Sequence, residues 1–155
     1  MSFALLVHKT AYAAPQSPGT SPFDYTSICL AGTTLTATHC DGYRLARSWC
    51  FLERAPGDMT LAVPVAAARD IAQRVRREAD VIAALRQAHI PDVMLPDYDR
   101  VIPARWASMH TVKRADLLDA LETASALAPE VANTTAIFLR AKKNALTFCG
   151  VLIDA

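Results

Sequence analysis

At 155 residues and a net charge of +1, the chain has the size of one domain and lacks the overall charge that grips nucleic acid over a whole surface. With 52% apolar and 20% charged residues it has the balance of an ordinary globular protein, able to bury most of its unfolded surface. Its four cysteines, Cys29, Cys40, Cys50 and Cys149, form no Cys-x-x-Cys pair and are expected as reduced, strand-borne core residues of a cytoplasmic protein.

Met1–Ala14 is expected as a strand followed by a small-residue tail. Its apolar run Phe3–Val7 has no basic region before it and is interrupted by His8-Lys9, which argues against a secretory signal even though Ala11-Tyr12-Ala13 resembles a cleavage site. No stretch is long enough to span a membrane. Pro15–Pro22, with three prolines and a glycine, reads as a loop, so residues 1–22 form an N-terminal strand and loop segment ahead of a single domain over 23–155. Tyr25–Leu30 reads as a strand turning at Ala31-Gly32. Thr34–Cys40 and Tyr43–Leu52 alternate as the arms of a hairpin hinged on Asp41-Gly42, a dipeptide suited to the positive φ of tight turns. Ala55–Asp58 is a further turn and Met59–Val63 a short strand.

Pro64 opens a helix, because its missing N–H costs nothing in a first turn. Ala68, Ile71, Ala72, Val75, Ala79 and Ile82 recur at helical spacing, and the pattern runs to Leu85 or Ala88, stopping before Ile90-Pro91. Leu95–Pro103, LPDYDRVIP, is a proline-bounded connector in which Tyr98 and Val101 are available to pack. A short strand near Met109–Val112 precedes a second helix from Lys113 to Ala128, whose expected buried stripe is Leu117, Leu118, Leu121, Ala124 and Leu127, with Pro129 as its stop. Ala136–Leu139 and Ala145–Ile153 read as a closing hairpin across Lys142-Lys143-Asn144. The order gives an α+β fold, two helices packed on an antiparallel sheet.

Two of these stretches carry a likeness. Asp41, Gly42, Arg44, Leu45 and Ala46 stand in an "ATDGHRLA" pattern, and Pro96, Asp97, Tyr98, Arg100, Val101 and Pro103 in a later "FPDYxRVIP" pattern. Together, in this order, they resemble the bacterial sliding clamp, the beta subunit of the replicative DNA polymerase. The resemblance runs from about Tyr25 to Phe148 and corresponds to the later part of a middle domain joined to the early part of a last one. The helical-looking Val81–His89 stands where that family carries further strands, and the chain ends before the family's C-terminal segment. The resemblance implies a DNA-clamp-like fold and a noncatalytic tether or docking platform for replication and repair proteins. A ring of family size would need about six such domains, so a homo-oligomer is one expectation. A solitary adaptor or decoy that binds clamp partners without encircling DNA is the other.

What the resemblance implies for sites is specific. A groove between turn and connector would take a short peptide motif of a polymerase or repair protein, lined by Gly42, Tyr43, Arg44, Leu45, Pro96, Arg100 and Val101, with Tyr43 where the family has histidine. An apolar floor would anchor Leu or Phe side chains and arginines would orient polar groups. The plainer alternative is a hairpin packed on a connector. Helices line the clamp's inner surface, so Arg69, Gln73, Arg76 and Arg77 would face duplex DNA without reading its sequence. Val65–Glu78 carries four arginines against Asp70 and Glu78, a net +2, whereas Val112–Ala128 carries a net −1. An ordinary solvated helix face has the same appearance.

Catalysis finds little support in the residues. His8, His39, His89 and His110 have no metal-ligand spacing, and His39 and Cys40, neighbours in a strand, point to opposite faces. Asp97 and Asp99 share a spacing that could place two carboxylates on one side, but both belong to the connector. There is no phosphate-binding glycine loop and no nucleophile elbow, so no cofactor, no metal and no enzyme activity are expected. An enzyme of unknown chemistry would instead show a concave pocket of titratable residues away from the DGYRL turn.

Overall fold

The computed structural model describes residues 2–15, 21–105, 110–127, 135–142 and 145–152. They fall into two compact units, Met1–Ile102 and Pro103–Ala155. In the first unit, helix α1 (Phe3–Thr10) is followed by a 3-10 turn, strands β1 (Tyr25–Ala31), β2 (Thr34–Cys40), β3 (Leu45–Phe51) and β4 (Met59–Pro64), and helices α2 (Val65–Arg74) and α3 (Glu78–Ala88). The four strands make one antiparallel sheet in the order β3-β2-β1-β4.

The N-terminal segment is a helix rather than the expected strand. Phe3, Leu6, Val7 and Thr10 are buried, and their spacing of three and four is that of one helical face. Ser2 caps the helix by accepting from the Leu5 N–H at 3.4 Å. A five-residue apolar run fits a strand and a helix equally well, and packing on the sheet decides between them. The helical side of the sheet carries the core, with Ile28, Leu30, Leu35, Ala37, Cys50, Leu61 and Val63 against Phe3, Leu6, Ala68, Ile71, Val81 and Leu85.

The long helix expected from Pro64 is two helices. Val75 turns extended (φ −97°, ψ 132°), its N–H closing on the Ile71 carbonyl, and α3 starts three residues later. No glycine or proline marks this break. Tertiary contacts hold it instead: Glu78 Oε1 accepts the Glu53 N–H at 2.9 Å, and Arg86 donates to the Pro56 carbonyl at 2.6 Å. The turn after β3 thereby ties down both ends of α3, and Val81, Ile82 and Leu85 reach the core. The helix does stop before Ile90-Pro91, as the proline predicts.

In the second unit α4 (Arg114–Leu127) packs on the antiparallel hairpin of β5 (Thr135–Lys142) and β6 (Ala145–Leu152), registered Thr135 opposite Leu152. The expected stripe is not fully covered. Leu117 and Ala124 are half-buried, but Leu118 and Leu121 are 43% and 38% exposed, since a two-stranded hairpin offers little area to bury against. His110–Val112 has no regular structure, and Met109, the Pro129 stop and the Lys143-Asn144 turn lie outside the described residues.

Candidate peptide-binding site

The β2–β3 turn is organised by Asp41. Its Oδ1 accepts the N–H groups of Tyr43 at 3.0 Å and Arg44 at 2.9 Å, and its Oδ2 meets Arg44 Nε at 2.8 Å. Backbone hydrogen bonds, from Arg44 and then Tyr43, hold the Asp41 carboxyl below its ordinary range. Gly42 has φ +92°, a conformation a side chain would strain, and an added Cβ there would stand 3.6 Å from the Phe23 ring. Phe23 lies on a short 3-10 turn, Pro22–Asp24, closed by a capping box between Ser21 and Asp24. The hinge is therefore a four-residue loop, Asp41–Arg44, and it leaves Tyr43 fully exposed.

The connector runs beside this turn over the sheet's outer face. Asp97 caps a 3-10 turn, Tyr98–Arg100, by accepting the Asp99 N–H, and pairs with Arg100 at 3.3 Å. Asp99 is held by Arg47 of β3 at 2.5 Å, while Arg47 Nε donates to Thr38 at 3.1 Å. Tyr98 is buried; desolvation first, and then the nearby Cys40, push its phenol up to about 12. The Arg47–Asp99 pair and the Tyr98 ring thus bring the connector against the strand ends that flank the turn.

Of the expected lining, Leu45 and Pro96 are half-buried and Gly42, Tyr43, Arg44, Arg100 and Val101 are exposed, Val101 at 67%. The connector is fastened to β3, the strand that leaves the turn, through Arg47 and Asp99, and Arg100 and Val101 face solvent. Sequence reasoning missed Arg47 and Phe23. For Arg47 the signal available was its place two residues after Leu45 on the same strand face. Phe23 left no such signal.

The residues expected to face DNA divide. Arg69 and Gln73, four apart on α2, share one exposed face, and Arg69 donates to the Ala11 carbonyl at 3.3 Å. Arg76 and Arg77 fall in the break after α2, not on the helix, where Arg76 donates to the Ala72 carbonyl at 3.1 Å and Arg77 pairs with Asp80 at 2.6 Å.

His39 is fully buried on the sheet's helical side, its ring between two hydroxyls: Thr10 Oγ1 lies 2.9 Å from Nδ1 and Thr26 Oγ1 2.8 Å from Nε2. Thr10 donates its own proton to the Leu6 and Val7 carbonyls, so Nδ1 carries the ring proton and Nε2 accepts from Thr26. Burial, reinforced by Arg69, pulls the His39 pKa down to about 4. Cys29, Cys40 and Cys50 are free thiols on three strands; only Cys50 is in the core. A cavity of about 580 Å³ at the α2–α3 break is lined by Cys50, Glu53, Arg76, Arg77 and Glu78 among others. Burial raises the Cys50 thiol, the opposite of what activates a nucleophile. Among the described residues no three His, Cys, Asp or Glu side chains gather as a metal site, and no helix is long and apolar enough to cross a membrane.

These elements in this order define the fold of the bacterial sliding clamp, the beta subunit of DNA polymerase III. A sliding clamp of Pseudomonas aeruginosa bound to griselimycin matches 97% of this chain with 47% of its own, at 16% identity and a TM-score of 0.67. A Streptococcus pyogenes beta subunit (14% identity, TM-score 0.68) and a Helicobacter pylori beta clamp bound to a DNA ligase peptide (14%, 0.61) each match 98% of this chain with 47% of theirs. The chain thus spans about half the length of these clamps. No protein-family model and no curated protein matches the sequence.

Proposed function

We propose that the chain is a noncatalytic, sliding-clamp-like docking module that holds replication or repair proteins by a short peptide laid between the β2–β3 turn and the connector. The observation that supports this reading is the fastening of the connector to β3, the strand that leaves the turn, through the Arg47–Asp99 pair beside the buried Tyr98 ring. The Helicobacter pylori clamp of the same fold was solved with a DNA ligase peptide, which supplies a chemically defined probe. Phe23, Leu45 and Pro96 offer apolar surface for Leu or Phe anchors, and Arg44 and Arg100, though paired with Asp41 and Asp97, keep further N–H donors for peptide carbonyls.

Fluorescence anisotropy with a labelled DNA ligase peptide tests it. Leu45→Ala combined with Arg100→Ala is expected to weaken binding about tenfold or more, the loss of one anchor and one orienting donor. Affinity unchanged in the double variant would remove the cleft assignment.

The adaptor reading, in which partners are held without encircling DNA, is favoured by one observation. Arg69, Arg76 and Arg77 already engage backbone carbonyls or Asp80, which reduces their availability to phosphates. It predicts peptide binding together with no salt-sensitive affinity for duplex DNA.

A further inference from the structure

Strand β3 is an edge of the four-stranded sheet, paired on one side alone. The Asp41 N–H meets the Arg44 carbonyl and the Leu52 N–H the Thr33 carbonyl, so the even-numbered residues of β3 turn their backbone towards β2. Leu45, Arg47, Trp49 and Phe51 therefore direct their N–H and C=O groups outward. Natural edge strands are kept from pairing by proline, lysine or a bulge, and LARSWCF has none of these over an unbroken register. Its one charge, Arg47, is drawn onto Asp99 of the connector. Two aromatic side chains stand on the outer face at this edge, Trp49 58% and Phe51 72% exposed. On the core side the same edge opens on the cavity of about 580 Å³ that Cys50 lines.

We propose that β3 pairs with β3 of a second copy of this chain, antiparallel and two-fold symmetric about Cys50. The strand is self-complementary in that register. Trp49 falls opposite the partner's Phe51 and Phe51 opposite the partner's Trp49, so the four exposed aromatics meet in two cross-strand pairs. These are outward-turned residues, so each pair also closes two backbone hydrogen bonds. Cys50 meets the partner's Cys50 at the closer, non-hydrogen-bonded position on the core side, where two small side chains fit beside the cavity. Centring on Ser48 would instead set Trp49 against Arg47, and centring on Trp49 would set Phe51 against Arg47, which is already spent on Asp99 and Thr38. Aromatic side chains bury about 150–250 Å² each, so the exposed parts of Trp49 and Phe51 supply about 600 Å² over two copies. The two paired backbones bring the contact close to the roughly 1,000 Å² of a stable interface. A contact of this isologous kind is complete at two copies, and the Asp41–Arg44 turn lies outside its aromatic pairs.

Sedimentation equilibrium of the intact chain tests the pairing, with a dimer expected to dissociate at about 10 μM. Trp49→Lys with Phe51→Lys removes the aromatic pairs and sets like charges across the edge. Both side chains are largely in solvent, so circular dichroism should show the parent fold, and the dimer is expected to weaken at least about hundredfold. Trp49→Thr, which keeps a good strand former, is expected to weaken it about tenfold and serves if the double variant unfolds. The register is read in an equimolar mixture of isotope-labelled and unlabelled chains, where NOEs between copies are expected from the Trp49 indole to the partner's Phe51 ring. A chain that stays monomeric to about 0.5 mM, a dimer unweakened in these variants, or a dimer without the Trp49–Phe51 NOE would overturn the proposal.

Discussion

His39 and Tyr98, buried on opposite sides of the four-stranded sheet, differ in how their polar atoms are met. On the helical side every polar atom of His39 is spoken for, its ring locked between Thr10 and Thr26 in one tautomer. On the outer side Tyr98 is as deeply covered as many core residues, yet its hydroxyl has no partner among the described residues, and beside it lies an exposed indole. A buried polar group with all its bonds made specifies a structure; one left short is tolerated where something else is to be met. His39 is thereby fixed in one arrangement, whereas the Tyr98 hydroxyl contributes no hydrogen bond among the described residues.

The strongest way to break this contrast is His39→Ala. It deletes two buried hydrogen bonds, strands the Thr26 hydroxyl and opens a cavity, so urea unfolding should show a loss of about 3 kcal/mol. A loss below about 1 kcal/mol would mean that the network is ornamental.

Acid titration follows. The folded pKa of His39, about 4, lies below the ordinary histidine value of 6.5, so as pH falls the unfolded chain takes up the proton first. The contribution is complete above pH 6.5, lost as pH falls towards 4, and amounts to about 3 kcal/mol across that window. The dependence due to this group should vanish in a His39→Gln chain; an unchanged pH profile there would place its cause elsewhere.

Tyr98→Phe should have the smallest effect. Removing a hydroxyl that has no partner should leave stability within about 0.5 kcal/mol of the parent, or raise it slightly. A loss of 1 kcal/mol or more would show that the oxygen is bonded in solution and would erase the difference between the faces.

The hairpins, the DGYRL turn and the connector were legible because their signals are local: strand alternation, Asp41-Gly42 and bounding prolines. What could not be read was set at a distance. Val75–Arg77 contains no helix breaker, and the break there follows from Glu53 and Pro56 gripping α3 from another loop. Phe3–Val7 suits either regular structure until a sheet face selects the helix. In the candidate site, Gly42 and Asp41 announce the turn, whereas Phe23 meets it only because the chain returns from nineteen positions upstream. Arg69, Gln73, Arg76 and Arg77 do not share one helical face, for the same reason that α2 ends early.

The segment after α3 has a consequence for how molecules of this kind can associate. Ile90 donates to the Ala62 carbonyl at 2.9 Å while Ala62 donates to His89 Nδ1 at 3.0 Å, and the next outward position on β4 is Pro64, which has no N–H to offer. Two positions of the β4 margin are thus closed to a further strand, whereas β3 is the open edge of the four-stranded sheet. Strand pairing through this sheet is therefore directed to β3, and the β4 side is shielded from edge-to-edge association at Ala62 and Pro64.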